Sequence, residues 1–516
     1  MNNQIQTVLV NTKHVWCILM AIVLLGLAIR LYGVNMPLVE SHQVRQAQTA
    51  MMARNLFDDN MDIFHTRLDY FGNVPGYIIM EFPLMHGIAA LLYYLFGVHE
   101  TIGRLVNVSF SIGAMFLMFG LARQFLPVVG AFAALALYAF SPMNIFFSRA
   151  FMPEASMMFF IVGAIYFFLK WLDRQTLLLY STAIIFAAFA CLTKPTAAIL
   201  FVPILTAWFL KYRWTLFRRS EFWLYMLLAT VPLIFWGAYA NYFNAMQSYI
   251  PSGFGGNWLE LIKSRGITNH WFDPAFYVFV GGSIILILLT PLGFAGTAIG
   301  VFICTGDRCR ILYLWLGAII VYFFVFSGAN AGHIYYHLPL LPLAAIFFGF
   351  AVEWLLHKKD FLKEIFKRKS IVWLGSGLLL AIFISYGIGY YKYFQYMYSN
   401  RMPYVLEVSE IIKKLAPPNL VVVLNQPGAE PTVFSYYSQS KVFFFRPLLE
   451  YDSIADIEYL RTQGATTYVA LDTKYGSGVH ETQKNKLFWQ YLNKKYKLVM
   501  LTSHYMVVDL KDGGRK

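Results

Sequence analysis

"HVWCILMAIVLLGLAIRLYG", residues 14–33, is the stretch that decides the fold class. An α-helix needs roughly 20 apolar residues to cross ~30 Å of hydrocarbon at ~1.5 Å per residue, and this run meets that length. It is too long and too closely flanked by aromatic residues for a secretory signal, and no small-residue cleavage site follows it. We therefore predict a retained membrane anchor.

The rest of the chain repeats this pattern. Hydrophobic residues make up 58% of the 516 positions and charged residues only 13%, which excludes an ordinary soluble globule. Further spans are predicted near 104–122, 127–143, 155–171, 177–193, 196–210, 222–240, 275–303, 312–328, 338–356 and 371–391. The predicted fold class is a polytopic α-helical membrane protein with about 11 transmembrane helices, counting the first.

The run "FPLMHGIAALLYYLFGV", residues 82–98, decides the orientation. If it does not cross, the basic residues of alternate loops fall on one side, as the positive-inside rule requires of a cytoplasmic face. These residues are Lys13, Arg123, Lys170, Arg174, Lys211, Arg213, Arg218, Arg219, Arg308, Arg310 and the cluster Lys358, Lys359, Lys363, Lys367, Arg368 and Lys369. We therefore predict an interfacial or re-entrant helix at 82–98 on the outer side, in a protein of the cytoplasmic (inner) membrane with a cytoplasmic N-terminus.

The net charge of +14 has the same explanation, because the basic residues sit in short loops that orient the chain. We therefore expect membrane lipids as partners and no nucleic acid. The cysteines give no disulfide framework, since Cys17, Cys191, Cys304 and Cys309 all lie in or beside membrane runs. The spacing of Cys304 and Cys309 matches no metal-ligand pattern. With no dense ligand cluster visible, we expect no cofactor, and nothing supports a divalent metal.

The C-terminal part differs in composition and predicts a second domain. Residues 1–391 form the predicted transmembrane domain, and residues 392–516 form a soluble, extracytoplasmic (periplasmic) α/β domain. Its predicted strands are "NLVVVLN" (419–425), "KVFFF" (441–445), "TTYVALD" (466–472) and "YKLVMLT" (496–502), alternating with amphipathic stretches near 430–438, 453–463 and 481–494. It contains no Gly-rich phosphate loop, so nothing in it indicates nucleotide binding.

The first outer loop contains "VESHQVRQAQTAMMARNLF", residues 39–57, which holds a carboxylate, a histidine and an arginine within six residues. Apolar residues at helical spacing over 43–56 predict an amphipathic helix lying on the outer membrane surface. Ser41 is positioned to cap this helix, and Glu40 to lie beside the positive end of its dipole.

Other ionisable or polar residues are predicted at the same face and depth. They are Glu81, Glu154, Lys194, His333, Tyr335, Tyr336 and His337. Each has a structural alternative, such as snorkelling for Lys194 or an interfacial aromatic belt for the tyrosines. Ionisable groups at membrane depth are costly and mark either a site or a buried pair, and their shared side favours a site.

Five stretches carry a resemblance to a known family: "ESHQVRQAQTAMMARNLF", "EFPLMHGIAALLYYLFGVHETIGRL", "SPMNIFFSRAFMPEASMMFF", "LTKPTAAILFVP" and "HIYYHLPLLPLAA". In their order and spacing they resemble the multi-spanning glycosyltransferases of the GT-C fold that take a sugar from a polyprenyl phosphate. That group contains the protein O-mannosyltransferases and the aminoarabinose transferases of lipid A. The likeness covers roughly residues 15–345.

The resemblance implies transfer of a sugar from an undecaprenyl- or dolichyl-phosphate donor to an acceptor hydroxyl on a lipid, glycan or protein. The reaction would take place at the outer face, with inversion. The family's first-loop acid, a proposed base or acceptor-orienting group, falls on Glu40, or on His42 in another register, and the acid of its second short outer loop matches Glu154. The leaving group is an anion, so cations are the expected stabilisers. The candidates near the donor phosphate are Arg45, Arg149, Lys194, Tyr335, Tyr336 and His337, with Glu81 and His333 as further candidates.

The residues leave other functions open. A transporter or flippase of lipid-linked sugars is also polytopic and also holds intramembrane charges, although paired interrupted helices in two matching halves are not evident. A polymerase or ligase of lipid-linked oligosaccharides would share the outer site. A non-catalytic scaffold with a working C-terminal domain is the third alternative.

Overall fold

The computed structural model describes residues 12–249, 269–357, 380, 387, 389–400, 403–415, 420–425, 431–445, 453–471, 483–502 and 504–511. The predicted basic cluster 358–369, most of the predicted span 371–391 and most of the second half of the outer loop 241–274 lie outside the described residues.

The helices of the described residues follow one another along the chain. They are α1 (Thr12–Leu31), α2 (Gln43–Asp58), α3 (Leu84–Phe96), α4 (Glu100–Ala122), α5 (Val128–Phe140), α6 (Pro142–Phe147), α7 (Glu154–Arg174), α8 (Leu177–Thr193), α9 (Phe201–Tyr212), α10 (Ser220–Ala245), α11 (Pro274–Ser283), α12 (Thr290–Ile303), α13 (Cys309–Val325), α14 (Ser327–Gly332), α15 (Leu341–His357), α16 (Pro403–Leu415), α17 (Pro431–Ser438), α18 (Ser453–Thr462) and α19 (Gln483–Lys495). Residues 389–398 are also helical where described. The 3₁₀ turns are Pro195–Leu200, Arg213–Arg218, Asn269–Phe272 and Ile334–Leu340, and Ile284–Leu288 is a π turn.

Within the described residues, six helical segments are long and apolar enough to cross a membrane. They are Thr12–Leu31, Glu100–Ala122, Glu154–Arg174, Pro195–Arg218, Ser220–Ala245 and Ile334–His357. A seventh results if the bent pair α11 and α12 is one span. The count of eleven is therefore not confirmed, because α5, α8 and α13 form at predicted places but are shorter. Helix α3 has 13 residues, too few at ~1.5 Å each for ~30 Å of hydrocarbon, consistent with the interfacial placement predicted for 82–98.

The predicted continuous span 275–303 is broken in its middle. The axis turns by 101° between the segments Pro274–Leu288 and Thr290–Ile303. Thr290 has φ 69°, a left-handed conformation that is unusual for a β-branched residue. Proline follows it and disfavours the helical conformation at Thr290, so the break has a local cause that hydropathy alone does not reveal.

Glycines allow α12 and α15 to pack closely. A Cβ placed on Gly300 would lie 1.8 Å from the Phe347 carbonyl oxygen, and one on Gly296 would lie 2.5 Å from the Phe348 ring. Small residues four apart let membrane helices approach to backbone contact. This packing continues to α5, where the backbone N–H of Gly130 donates to Glu353.

The basic loops lie together at one end of the helical bundle, as their charge pattern predicts. Arg308 donates to the carbonyl of Gln124 at 2.6 Å and lies 3.6 Å from Asp173. Lys211 donates to the carbonyl of Leu172. The loops after α4, α7, α9 and α12 therefore share this end.

The loop between α12 and α13 corrects one prediction. Cys304 and Cys309 form a disulfide, with Cα atoms 6.0 Å apart. The expectation of no disulfide was wrong, because a position beside membrane runs does not prevent two cysteines of one short loop from pairing. Two antiparallel helix ends joined by a short loop bring these cysteines within the usual bridging distance.

Helix α2 forms where predicted, but it does not lie exposed on a surface. Its residues from Gln46 to Leu56 are all buried, and the helix packs against α3 and α17. Ser41 does not cap it, since the N-cap is His42 and no side chain caps the helix. The apolar spacing was correct, but the opposite face is covered by the C-terminal part of the chain.

The C-terminal part holds a five-stranded sheet of β1 (Val421–Asn425), β2 (Lys441–Phe445), β3 (Ala465–Leu471), β4 (Lys497–Leu501) and β5 (Tyr505–Asp509), in the order β2-β1-β3-β5-β4. Strand β1 pairs in parallel with β2 and β3, whereas β5 is antiparallel to β3 and β4. The four predicted strands form within about a residue or two of their predicted limits, and β5 was not predicted.

The sheet is joined to the first loop by backbone pairing. Val442 in β2 donates to the carbonyl of Asp69 at 2.9 Å, and Gly72 donates back to Val442 at 2.9 Å. Arg54 in α2 donates to the carbonyl of Tyr436 at 2.8 Å. One apolar core includes residues of α2, α3, α16, α17 and the sheet. The domain boundary at 391/392 stays a prediction, but the two parts share this core.

Candidate active site

Glu40 lies at the centre of a buried ion cluster. Its Oε1 accepts from Arg104 at 2.8 Å and from Gln46 at 3.3 Å, and its Oε2 accepts from Arg149 at 2.6 Å. Glu40 is 2% exposed and both arginines are 0% exposed. Both carboxylate oxygens are therefore already occupied by donors.

The two arginines anchor the start of the first loop. Arg104 also donates to carbonyls in the segment 33–37, including that of Gly33 at 2.9 Å. The guanidinium of Arg149 lies 4.5 Å over the ring of Tyr398, in the helical stretch 389–398. Arg104 was not among the predicted site residues, although an arginine inside an apolar run was the signal that could have found it.

His42 follows this cluster and has an unusual backbone conformation. Its φ and ψ are 57° and 31°, in the left-handed region, where non-glycine residues are uncommon and often functional. Its carbonyl accepts from Gln46 at 3.0 Å, which begins α2. The imidazole is partly exposed and lies with its centroid 5.3 Å from the rings of Phe147 and Tyr335.

Lys194 lies between a carboxylate and two aromatic rings. Its Nζ is 2.5 Å from Glu154 Oε1 and lies 4.3 Å over Tyr335 and 4.5 Å over Tyr336. Pro195 ends α8 at this point, leaving Lys194 extended between two helical segments. Within the described part of the chain, Glu154 Oε2 is buried and accepts no hydrogen bond.

Arg45 and Glu81 form a second pair beside Lys194. One nitrogen of Arg45 lies 2.8 Å from both Glu81 oxygens. Burial opposes both charges, but the attraction outweighs it, so the pKa of Arg45 is raised and that of Glu81 is lowered to about 2. Lys194 also lowers the pKa of Glu81, so the charged pairs influence one another.

Four rings form what we call the aromatic platform: His42, His333, Tyr335 and Tyr336. His333 and Tyr335 are stacked with centroids 5.1 Å apart and planes inclined by 11°. Tyr336 follows at 4.8 Å from Tyr335, and His42 meets Tyr335 edge-on. The platform therefore borders both the Lys194–Glu154 pair and the start of α2.

His337 does not join this group, although the sequence placed it there. Its Nδ1 bonds to the Ser283 hydroxyl at 2.7 Å and its Nε2 bonds to the Asn330 carbonyl at 3.1 Å. The side chain is 0% exposed. Both ring nitrogens thus make contacts inside the helical bundle, and His337 is not part of the candidate site.

A family model for dolichyl-phosphate-mannose-protein mannosyltransferase matches residues 81–237. This segment contains Glu81, Arg149, Glu154 and Lys194, but not residues 39–57 near the start of the first loop. No curated protein sequence matches significantly.

Solved structures share the fold over nearly the whole chain. ArnT from Cupriavidus metallidurans, in a crystal structure bound to undecaprenyl phosphate, has a TM-score of 0.64 at 15% identity, covering 95% of this chain and 97% of that chain. The oligosaccharyltransferase AglB from Archaeoglobus fulgidus, in complex with an inhibitory peptide and a dolichol-phosphate, has a TM-score of 0.54 at 11% identity, covering 96% and 74%. A mutant of arabinofuranosyltransferase AftD from Mycobacteria has a TM-score of 0.52 at 13% identity, covering 96% and 41%.

The resemblance predicted from the sequence is therefore confirmed. The chain is an integral membrane protein with the GT-C fold, the architecture of polyprenyl-phosphate-dependent membrane glycosyltransferases. At these identities the structural likeness establishes the fold, whereas the chemistry of the site rests on this chain's own residues.

Proposed function

We propose that the protein is a glycosyltransferase that moves a sugar from a polyprenyl-phosphate donor to an acceptor hydroxyl. The observation that carries the proposal is the position of Lys194 and His42 against the same ring, that of Tyr335. The Lys194 Nζ lies 4.3 Å and the His42 ring centroid lies 5.3 Å from the centroid of the Tyr335 ring, so the distance between the cation and the imidazole cannot exceed the sum of these two values. This spacing suits a sugar held between its leaving phosphate and a base.

The donor phosphate would bind at Lys194, with Arg45 as the nearby second cation. Each of these cations already has a carboxylate partner, so each is held in place before the lipid arrives. A cation fixed where negative charge develops stabilises departure of an anion. ArnT and AglB, which share the fold, bind undecaprenyl phosphate and dolichol-phosphate respectively, which supports a lipid-phosphate donor here.

His42 would act as the general base, because Glu40 is fully occupied by Arg104, Arg149 and Gln46. The acceptor O–H gives its proton to the imidazole while its oxygen forms a bond to the anomeric carbon. The bond from that carbon to the phosphate oxygen breaks, and its electron pair leaves with the polyprenyl phosphate. Attack opposite the leaving group inverts the anomeric centre.

Glu40 would then be a positioning residue. Its ion cluster anchors the chain just before His42, and Ser41 N–H donates to the carbonyl of Met397 at 3.0 Å on the same stretch. The left-handed conformation of His42 persists only where the surroundings hold it, and these contacts supply that restraint.

The placement of the site explains why the enzyme is embedded. A polyprenyl chain stays in hydrocarbon, so its phosphate must be met at the interface. Lys194 and Glu154 lie at the opposite end of α7 from Arg174 and its basic loop, and by the positive-inside rule this position supports a site at the extracytoplasmic face.

The test is transfer of radiolabelled sugar from synthetic undecaprenyl-phosphate donors into native membrane fractions that supply lipid, glycan and protein acceptors. His42→Gln should lower the rate by about 10²–10⁴-fold, the usual contribution of a general base. Lys194→Met should lower it as well, because the leaving phosphate loses its fixed cation.

Matched controls lie elsewhere in the chain. Lys170 also lies over a tyrosine ring, at 5.6 Å from Tyr166, but at the other end of α7, and His65 is an exposed histidine paired with Asp62. Lys170→Met and His65→Gln should transfer sugar at the wild-type rate. Full activity of the His42→Gln, Lys194→Met double variant would refute the proposed site, and transport of intact donor without transfer would favour a flippase.

A further inference from the structure

We infer that the donor sugar is uncharged and binds with its C–H face against the aromatic platform of His42, His333, Tyr335 and Tyr336. This inference rests on the proposed function and names the class of sugar that the same site would accept. It separates neutral sugars from sugars that carry an ammonium or a carboxylate group.

The charge pairing of the site argues against an ammonium sugar. A bound ammonium needs a carboxylate that is not already neutralised by a cation. Among the residues that the structure describes, the three carboxylates around the site already have cationic partners. Glu40 is paired with two arginines, Glu81 with Arg45, and Glu154 with Lys194. Glu154 Oε2 is buried next to that same ammonium group, so a second cation there would meet direct repulsion.

The same pairing argues against an acidic sugar. The cations nearest the platform, Lys194 and Arg45, would have to bind the donor phosphate while each is also bound to a glutamate. A second carboxylate, on the sugar, would compete with that phosphate for the same two cations. Because of this competition the carboxylate of an acidic sugar would add no binding affinity, since burying an additional unpaired anion is costly.

The platform offers what a neutral sugar needs. The partly exposed His333 ring stacks on the buried ring of Tyr335, and a pyranose has a face of C–H groups that packs on an aromatic ring of this kind. The phenol oxygen of Tyr336 and the ring nitrogens of His42 and His333 are groups that exchange hydrogen bonds with hydroxyls. Binding sites of this kind are mostly apolar, with a few polar groups that fix orientation.

The experiment measures the affinity of the purified full-length protein in nanodiscs for a matched donor series. The series is undecaprenyl phosphate alone and the same lipid carrying glucose, mannose, galactose, 4-amino-4-deoxyarabinose or glucuronic acid. At least one neutral donor should bind about tenfold or more tighter than undecaprenyl phosphate alone, and the amino and acidic donors should show no such gain. His333→Leu should reduce the gain from the neutral sugar, whereas Lys194→Met should weaken binding of every lipid, including undecaprenyl phosphate alone.

The possible outcomes distinguish failure of the neutral-sugar inference from failure of the proposed glycosyltransferase function. A largest gain for the aminoarabinose or glucuronic acid donor would overturn the neutral-sugar inference and leave the glycosyltransferase proposal standing. Neutral donors that bind no tighter than undecaprenyl phosphate would also overturn it. Absence of binding to undecaprenyl phosphate itself would count against the proposed function.

Discussion

Glu40 shows that the ion-pair partners of a side chain can decide its role where the residue type alone allows several roles. A glutamate in the first outer loop of a chain that resembles these transferases is a natural candidate for the base. In the structure its two oxygens are held by Arg104 and Arg149, all three side chains being buried. A carboxylate in that state stabilises its neighbours, and the partly exposed His42 two residues later is better placed to accept a proton.

Glu40→Gln should therefore lower stability more than a change at an exposed glutamate. Removing the charge leaves two buried arginines without a counter-ion, and breaking such a pair costs about 3–5 kcal/mol. Glu410→Gln is the matched control, because Glu410 is 69% exposed and 3.8 Å from Lys414, where such a pair contributes roughly 0–1 kcal/mol. Thermal unfolding in detergent measures both, and equal melting temperatures for the two variants would contradict the role of Glu40.

Measurements of sugar transfer should distinguish the role of Glu40 from that of His42. If Glu40 only positions His42, transfer by Glu40→Gln should be slower but should keep its wild-type dependence on pH. His42→Gln should lose the acidic limb of that dependence, because the group that must be deprotonated is gone. An altered pH profile in Glu40→Gln would instead indicate that Glu40 takes the proton.

At the scale of elements, the sequence predicted most helices and strands but not how they are joined. The apolar runs located α4, α7 and α10, and the β-branched runs located β1 and β3. The break at Thr290 was missed, since hydropathy continues through it and only the following proline marks the change. Burial of α2 was also missed, because its outer face is covered by α17, which is hundreds of residues away in the chain.

The close approach of α12 and α15 gives a test at this scale. Gly300→Ala would place a Cβ 1.8 Å from the backbone oxygen of Phe347, so the two helices must move apart. Overpacking of this kind typically costs about 1–3 kcal/mol. The melting temperature of Gly300→Ala should therefore fall.

Gly317 in α13 provides the control for this change. A Cβ at Gly317 meets no atom within 4 Å. Since alanine is favoured over glycine inside a helix by roughly 0.5–1 kcal/mol, Gly317→Ala should hold or raise the melting temperature. If Gly300→Ala is as stable as Gly317→Ala, the α12–α15 contact does not limit stability.

At the scale of the whole molecule, the first loop lies between the helical bundle and the sheet. Its start is fixed in the bundle by Glu40, and its middle pairs with β2 through Asp69 and Gly72. The charge pattern predicted which residues share a face, and the structure brings Lys194, Glu154 and Tyr335 together there. The charge pattern could not predict the part played by Arg104 or the internal contacts of His337, because both depend on which side chains meet in the folded protein.

The orientation of the molecule is open to a direct test. The loops after α4, α7, α9 and α12 share one end. In or beside these loops lie Arg123, Arg174, Lys211 and Arg308, which the positive-inside rule assigns to the cytoplasm. In a background where the four native cysteines are replaced, Asp307→Cys reports on that end, since the Asp307 side chain is 88% exposed. Asp62→Cys, at a side chain that is 46% exposed, reports on the first loop.

A membrane-impermeant maleimide added to intact cells, or to spheroplasts if an outer membrane blocks its entry, should label Asp62→Cys. It should label Asp307→Cys only after the cytoplasmic membrane is permeabilised. Both variants should react fully in detergent, which controls for local accessibility. Labelling of Asp307→Cys before permeabilisation, with Asp62→Cys protected, would place the Lys194 site on the cytoplasmic side. The lipid-linked donor would then have to be bound from the cytoplasmic face.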